Sequence, residues 1–164
     1  MYASLTNTEN RSLLPLADFR SRILILDVVP GEKSKILSQY YANKGNSFWK
    51  IIFHALREPF HADYKLRRQI LLKKGVALWN VLEHEDIGYE QPNDFQSFFQ
   101  MHPAIEKIIF NGNNAAECYG RHVGFQRSIS YSTLPSTSSL NTWKSTEEKA
   151  AIWLEELRQV AQRA

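Results

Sequence analysis

Three stretches of this chain run apolar almost without a break. "RILILDVV" (22–29), "VALWNVLE" (76–83) and "KIIFNG" (107–112) are short, and turn formers follow the first and the last. Strands covered on both faces read this way. "SISYSTLPST" (128–137) alternates instead and breaks at Pro135, which predicts a fourth strand. Between the strands the period lengthens to that of a helix. "SFWKIIFHAL" (47–56) sets Phe48, Ile51, Ile52 and Ala55 on one side. "DYKLRRQILLKKG" (63–75) sets Leu66, Ile70 and Leu71 on one face, with Gly75 as a C-terminal stop. "NDFQSFFQMH" (93–102) predicts a short amphipathic helix capped by Asn93 or Asp94, and "NNAAECYGRHV" (113–123) another. A last helix opens on a capping box of Ser145 and Glu148, with Ala150, Trp153, Leu154, Leu157 and Val160 as its inner stripe.

Strands alternating with helices predict an α/β fold: a mostly parallel sheet covered on both faces. No repeat and no low-complexity linker interrupts it. Residues 13–164 therefore read as a single domain behind a flexible N-terminus, 1–12. In open α/β sheets ligands bind at the carboxyl ends of the strands. That rule selects four places: 27–31, 80–83, 111–112 and 135–139.

Composition narrows the class only a little. A chain of 164 residues, 43% apolar and 23% charged, is an ordinary globular protein with room for a real core. A net charge of +3 permits a polyanionic partner without requiring one. Cys118 is the only cysteine, so no internal disulfide can form, and a reducing compartment is expected. The polar N-terminus lacks the apolar core of a signal peptide, and no run approaches the roughly 18 apolar residues of a membrane span. The expectation is a soluble cytoplasmic monomer with no membrane partner.

The strand ends carry the candidate chemistry, and each has two readings. Pro30-Gly31 in "DVVPGEKS" makes a tight turn whose amides suit a flat ligand or an anion, or is an ordinary strand-to-helix turn. Asn80 is a polar amide in an apolar strand. It either reads the edge of a nucleobase or caps the strand. "LPSTSS" (134–139) crowds four hydroxyls after a proline, which suits phosphate contacts or a plain Ser/Thr turn. The five histidines show no zinc spacing with Cys118, and "HED" (84–86) reads as a solvated turn, so no metal ligands are assigned. No Gly-x-Ser-x-Gly elbow is present. The basic "KLRRQILLKK" reads as a solvated helix face, with a nucleic-acid contact as the alternative.

Several blocks in order, "VVPGEKS…QYYANKGNSFWK", "GVALWNVLEHEDIG", "PNDFQSFFQMHPAIEKIIFNGNNAAECYGRHV" and "LPSTSS", resemble the uracil-DNA glycosylase superfamily, and most of all its hypoxanthine-DNA glycosylase group. The resemblance spans roughly residues 20 to 160. It implies a three-layer α/β/α sandwich around a central four-stranded parallel sheet. It also implies a monofunctional DNA glycosylase that flips a damaged or modified base out of DNA and needs no cofactor. By position, Asn46 matches the family's catalytic asparagine and Tyr41 the aromatic that stacks on the flipped base. Asn80 matches the residue that reads the base edge. Val29, Pro30 and Gly31 shape the base pocket. Pro135, Ser136, Thr137 and Ser138, together with Ser34, form the DNA-binding set.

The chain departs from the group at three points. Asp27 stands where the group has glycine, and Val29 precedes the proline. The segment before Pro92 is short. Leu140-Asn141-Thr142 replaces a His-containing sequence. Asp27 either assists the attacking water and the cationic sugar or narrows the pocket. The alternative to the enzyme is a catalytically altered nucleic-acid or nucleotide-binding module on the same fold.

Overall fold

The computed structural model describes residues 12 to 161 except residue 87. All of the expected flexible segment 1–12 but Ser12 lies outside the described residues. In chain order the elements are β1 (Ile23–Asp27), α1 (Glu32–Leu37), α2 (Phe48–Ala55), α3 (Tyr64–Lys73), β2 (Val76–Asn80), β3 (Leu82–Asp86), β4 (Tyr89–Pro92), α4 (Phe95–Met101), β5 (Lys107–Asn111), α5 (Asn113–His122), β6 (Ser130–Leu134) and α6 (Thr146–Ala161).

β2, β1, β5 and β6 form a four-stranded sheet in that spatial order, every pair parallel. The register pairs Ile25 with Leu78, Asp27 with Asn80, and Asn111 with Leu134. Side chains alternate across a strand, so each strand feeds both faces of the sheet. Ile23, Ile25, Val76, Leu78 and Ile109 pack with Phe48 and Ile52 of α2 and Trp153 and Leu157 of α6. Leu24, Leu26, Ala77, Ile108 and Phe110 pack with Phe95 and Phe98 of α4 and with Ala115 and Tyr119 of α5. Two cores, one on each side of the sheet, make the three-layer α/β/α sandwich. Among the described residues no helix is long and apolar enough to cross a membrane.

The helix caps follow the expected chemistry. Asp94 Oδ1 accepts from Ser97 N at 3.0 Å, so Asp94 is the cap of α4. Ser145 Oγ accepts from Glu148 N at 3.1 Å ahead of α6. Gly75 takes φ +77°, a conformation that lets the chain leave α3.

Three expectations are corrected. The strand over 76–83 stops at Asn80, and the chain then turns into an antiparallel hairpin of β3 and β4 with "HED" inside β3, not in a turn. A polar, mostly exposed hairpin is held by its backbone ladder and carries little apolar period to read. Leu66 is 36% exposed, and Leu71 is the only buried residue of α3. Its inner side is completed by the Arg67 guanidinium, 5.0 Å from the centre of the Trp49 ring. Gly31 caps α1, a six-residue helix, so Pro30-Gly31 is the strand-to-helix turn of its second reading.

Candidate functional site

The three neighbouring strands β1, β2 and β5 each stop on a polar residue: "ILILD", "VALWN" and "KIIFN". By alternation Asp27, Asn80 and Asn111 belong to the face that carries Ile25, Leu78 and Ile109, the side where α2 packs. A row of one carboxyl and two amides thus crosses the ends of β2, β1 and β5. The strand order reverses direction between β1 and β5, which is where open α/β sheets leave a crevice. A cavity of about 830 Å³ lies there, with Asp27, Val28, Asn111, Gly112, Ser136 and Trp143 among its walls. That is large enough for a small ligand or a nucleobase with its sugar. Asn113 and Asn114, at the N-terminus of α5, also reach it.

Below the cavity a hydrogen-bond chain has all its directions determined. Asn111 and Thr137 are 3% and 1% exposed, so their polar atoms need internal partners. The Thr137 backbone N–H donates to Asn111 Oδ1 at 2.9 Å. Asn111 Nδ2 therefore donates, to Thr137 Oγ1 at 3.0 Å and to the Tyr41 hydroxyl at 3.1 Å. With its oxygen accepting, the Thr137 hydroxyl donates its one hydrogen to Asn46 Oδ1 at 2.8 Å. Asn46 Oδ1 also accepts the Phe48 N–H at 2.9 Å. The oxygen end of the Asn46 amide is thus fully engaged inside the protein. Asn46 is only half-buried, and Nδ2 is the end left for a ligand.

Tyr41 sits at the far end of the chain of bonds. It takes φ +53°, a costly conformation for a residue with a Cβ, and its ring stacks on Phe48 with centroids 3.9 Å apart. One ring face is covered, and the hydroxyl is held by Asn111. Burial pushes the Asp27 carboxyl above the usual carboxylate range; the Val28 amide at 2.9 Å and the Tyr41 hydroxyl pull it the other way. Burial and the Asp27 charge raise the Tyr41 phenol well above its ordinary value.

Asn80, 3% exposed, lies in register beside Asp27 and outside the cavity wall. Its backbone carbonyl accepts from Asn93 Nδ2 at 2.9 Å, while its own Nδ2 is buried with no partner. An unmet buried amide is costly and marks a group awaiting an acceptor. Pro30 is buried, and Val29 half-buried. A Cβ at Gly31 would meet no protein atom within 4 Å, so the fold itself does not demand glycine there. At Gly112 it does: φ is +96°, and a Cβ would stand 3.1 Å from Ser136 Cβ.

Two of the expected DNA-binding residues turn inward. Thr137 spends its hydroxyl on Asn46 and Asn111. Ser34, 5% exposed, accepts the Ala42 N–H at 3.1 Å and ties α1 to the following loop. The Thr137 hydroxyl has no hydrogen left for a phosphate, and the Ser34 oxygen serves an amide of the fold. Pro135, Ser136 and Ser138 do line the cavity. Ser136 Oγ accepts from Ser138 N and Ser138 Oγ from Leu140 N, both at 3.2 Å.

Beyond them the rim is apolar and exposed: Leu140 is 92% and Trp143 84% accessible. Lys149 of α6, 4% exposed, anchors this rim by donating to Ser138 O at 3.2 Å and Asn141 O at 2.7 Å. Trp143 and Lys149 were not singled out from the sequence, and Asn111 was marked only as part of the strand end 111–112, with no role given to it. Only Asn111 carried a signal, the polar end it shares with β1 and β2.

The family model for the Uracil DNA glycosylase superfamily matches residues 14–158. A protein of Methanosarcina acetivorans named hypoxanthine DNA glycosylase is 32% identical over 142 residues, 80% of this chain and 87% of that protein. A hypoxanthine DNA glycosylase of Methanosarcina barkeri is 30% identical over 86% of this chain and 93% of its own. The solution NMR structure of a candidate uracil DNA glycosylase from M. acetivorans superposes with a TM-score of 0.70 at 28% identity, covering 89% of this chain and 97% of the other. The chain belongs to the uracil DNA glycosylase superfamily.

Proposed function

We propose that this member of the uracil DNA glycosylase superfamily hydrolyses the N-glycosidic bond of a deaminated or modified base in DNA and leaves an abasic site. Hypoxanthine is the first substrate to test, because the curated relatives carry that name. The observation that carries the reading is the buried chain Tyr41–Asn111–Thr137–Asn46, which fixes the amide of Asn46 in one orientation and ties it to Asn111 on the wall of the strand-end cavity.

The flipped base enters at the switch point between β1 and β5. Its glycosidic bond stretches first, so the sugar becomes cationic and the base takes on negative charge. Donors aimed at the base, with water excluded, lower that barrier. The unpartnered Asn80 Nδ2 and the backbone N–H groups of Val29, Gly31 and Glu32 supply them, and the positive end of α5 adds to the field. Water then attacks the sugar carbon. Asn46 Oδ1 is already engaged, so Asn46 holds the water through Nδ2 and takes no proton from it. Asp27 accepts that proton: the water oxygen bonds to the sugar, its hydrogen passes to the carboxylate, and the base leaves with the electron pair of the broken bond. Tyr41 buttresses the pocket through Phe48 and Asn111 and offers the base what remains of its ring. Pro135, Ser136 and Ser138 meet the backbone, and Leu140 and Trp143 press against the duplex.

Base release is measured on matched single- and double-stranded oligonucleotides carrying one hypoxanthine, uracil, xanthine or hydroxymethyluracil, with alkali to cut at abasic sites. Cleavage at one base is expected, reduced about 10²–10³-fold in Asn46→Ala while DNA binding persists. A folded protein that binds DNA and releases none of these bases would instead be a binding module on the same fold.

A further inference from the structure

Away from the strand-end cavity, Glu90, Cys118 and His122 each bring one metal-ligating atom to within 4.8 Å of the others. Cys118 and His122 lie four positions apart on α5, so they share one helix face. Glu90 comes from β4, 32 positions before His122, and its Oε2 lies 2.5 Å from His122 Nε2. Arg121 Nη2 holds both oxygens of the same carboxylate at 3.2 Å.

A thiol, an imidazole and a carboxylate form a mixed set suited to Zn²⁺, which takes three protein ligands and leaves a fourth position for water. A second partner on a ligating carboxylate is the usual means of aiming it, and Arg121 is placed to do that.

We propose that Glu90, Cys118 and His122 bind one zinc ion that clamps the β3–β4 hairpin to α5. As zinc binds, Cys118 releases its proton to solvent and coordinates as the thiolate. Glu90 keeps one oxygen on Arg121 and gives the other to the metal. No zinc spacing was expected from Cys118 and the histidines because the third ligand comes from a hairpin the sequence pattern hid.

The clamp joins one wall of the cavity to a hairpin that braces another. The root of the hairpin grips its floor, with Val81 N donating to Asp27 O at 2.8 Å and Leu82 N to Val28 O at 3.0 Å. The other partner, α5, begins with Asn113 and Asn114 on the cavity wall.

The test titrates the metal-free full chain with Zn²⁺ by calorimetry and with Co²⁺ by absorbance. One equivalent of metal is expected, with a thiolate-to-cobalt charge-transfer band in the near ultraviolet. Cys118→Ala, a small change at a buried apolar site, removes the band. Glu90→Gln and His122→Ala each weaken zinc binding about tenfold or more. The proposal fails if the wild type shows no saturable uptake, which would leave Glu90 paired only with His122 and Arg121. It fails equally if Cys118→Ala takes up zinc as the wild type does.

Discussion

The floor and the rim of the cavity are built on opposite terms. In the floor, Asn111 and Thr137 are almost wholly buried, and the direction of every bond between them and Asn46 is set by a backbone N–H at one end. At the rim, Leu140 and Trp143 stand in solvent, and the loop that bears them is held from behind by Lys149. Buried polar groups that satisfy one another leave no alternative arrangement, so they hold a reacting geometry. Exposed apolar side chains lose little by staying free and gain on contact with a partner. On the function proposed above, the floor carries the chemistry and the rim engages DNA.

The largest effect that separates them lies at Asp27. Asp27→Asn removes the proposed proton acceptor and is expected to cut base release by about 10²-fold or more, with oligonucleotide affinity retained. The same change has a defined effect on stability. A carboxyl whose pKa is raised by folding binds more protons folded than unfolded, so stability falls as pH climbs from the ordinary aspartate value through the raised one. Above that window the wild type carries a desolvated carboxylate and the variant does not. Denaturant melts at neutral and acid pH should show Asp27→Asn gaining stability at neutral pH and converging with the wild type in acid. In the wild type, base release should decline on the acid side as Asp27 is protonated, and the variant should lose that limb. An unchanged acid limb in Asp27→Asn would remove Asp27 from the mechanism.

A smaller effect is expected at Thr137→Val. It keeps the side-chain shape, deletes the donor to Asn46 and leaves Asn111 Nδ2 one acceptor short. A loss of about 1–3 kcal/mol in urea denaturation should accompany slower turnover, since an unmet buried group is destabilising. If the rate is unchanged while stability falls, the chain of bonds supports the fold and does not orient Asn46.

The smallest effect is expected at the rim. Trp143→Ala should weaken DNA binding by about 1 kcal/mol, leave the melting temperature within error, and leave single-turnover chemistry at saturating enzyme intact. A drop in the single-turnover rate would blur the line between the two regions.

Much of the framework was legible along the chain. The continuous apolar runs marked β1, β2 and β5, and 3.6-residue spacing marked α2, α4 and α6, because each element must bury a defined face. The alternation of strands and helices implied the parallel sheet. The β3–β4 hairpin escaped because "LEHED" and "YEQP" have mostly half-buried or exposed side chains and hold together through backbone bonds, which any sequence offers. The inward turn of Ser34 and Thr137 escaped for a related reason. A hydroxyl on a loop looks the same whether it faces a phosphate or an amide brought from far along the chain.

Sequence alone therefore determined the four strands of the main sheet and its larger helices, most of the positions apolar enough to be covered, and that polar residues end β1, β2 and β5. Those are local consequences of side-chain period and hydrophobic burial. Tertiary structure decided what the polar ends meet. The bond from Thr137 to Asn46 spans 91 positions and the one from Asn111 to Tyr41 spans 70. Such partners are chosen by the parallel register and by the need to satisfy every donor removed from water, neither of which acts until the chain has closed.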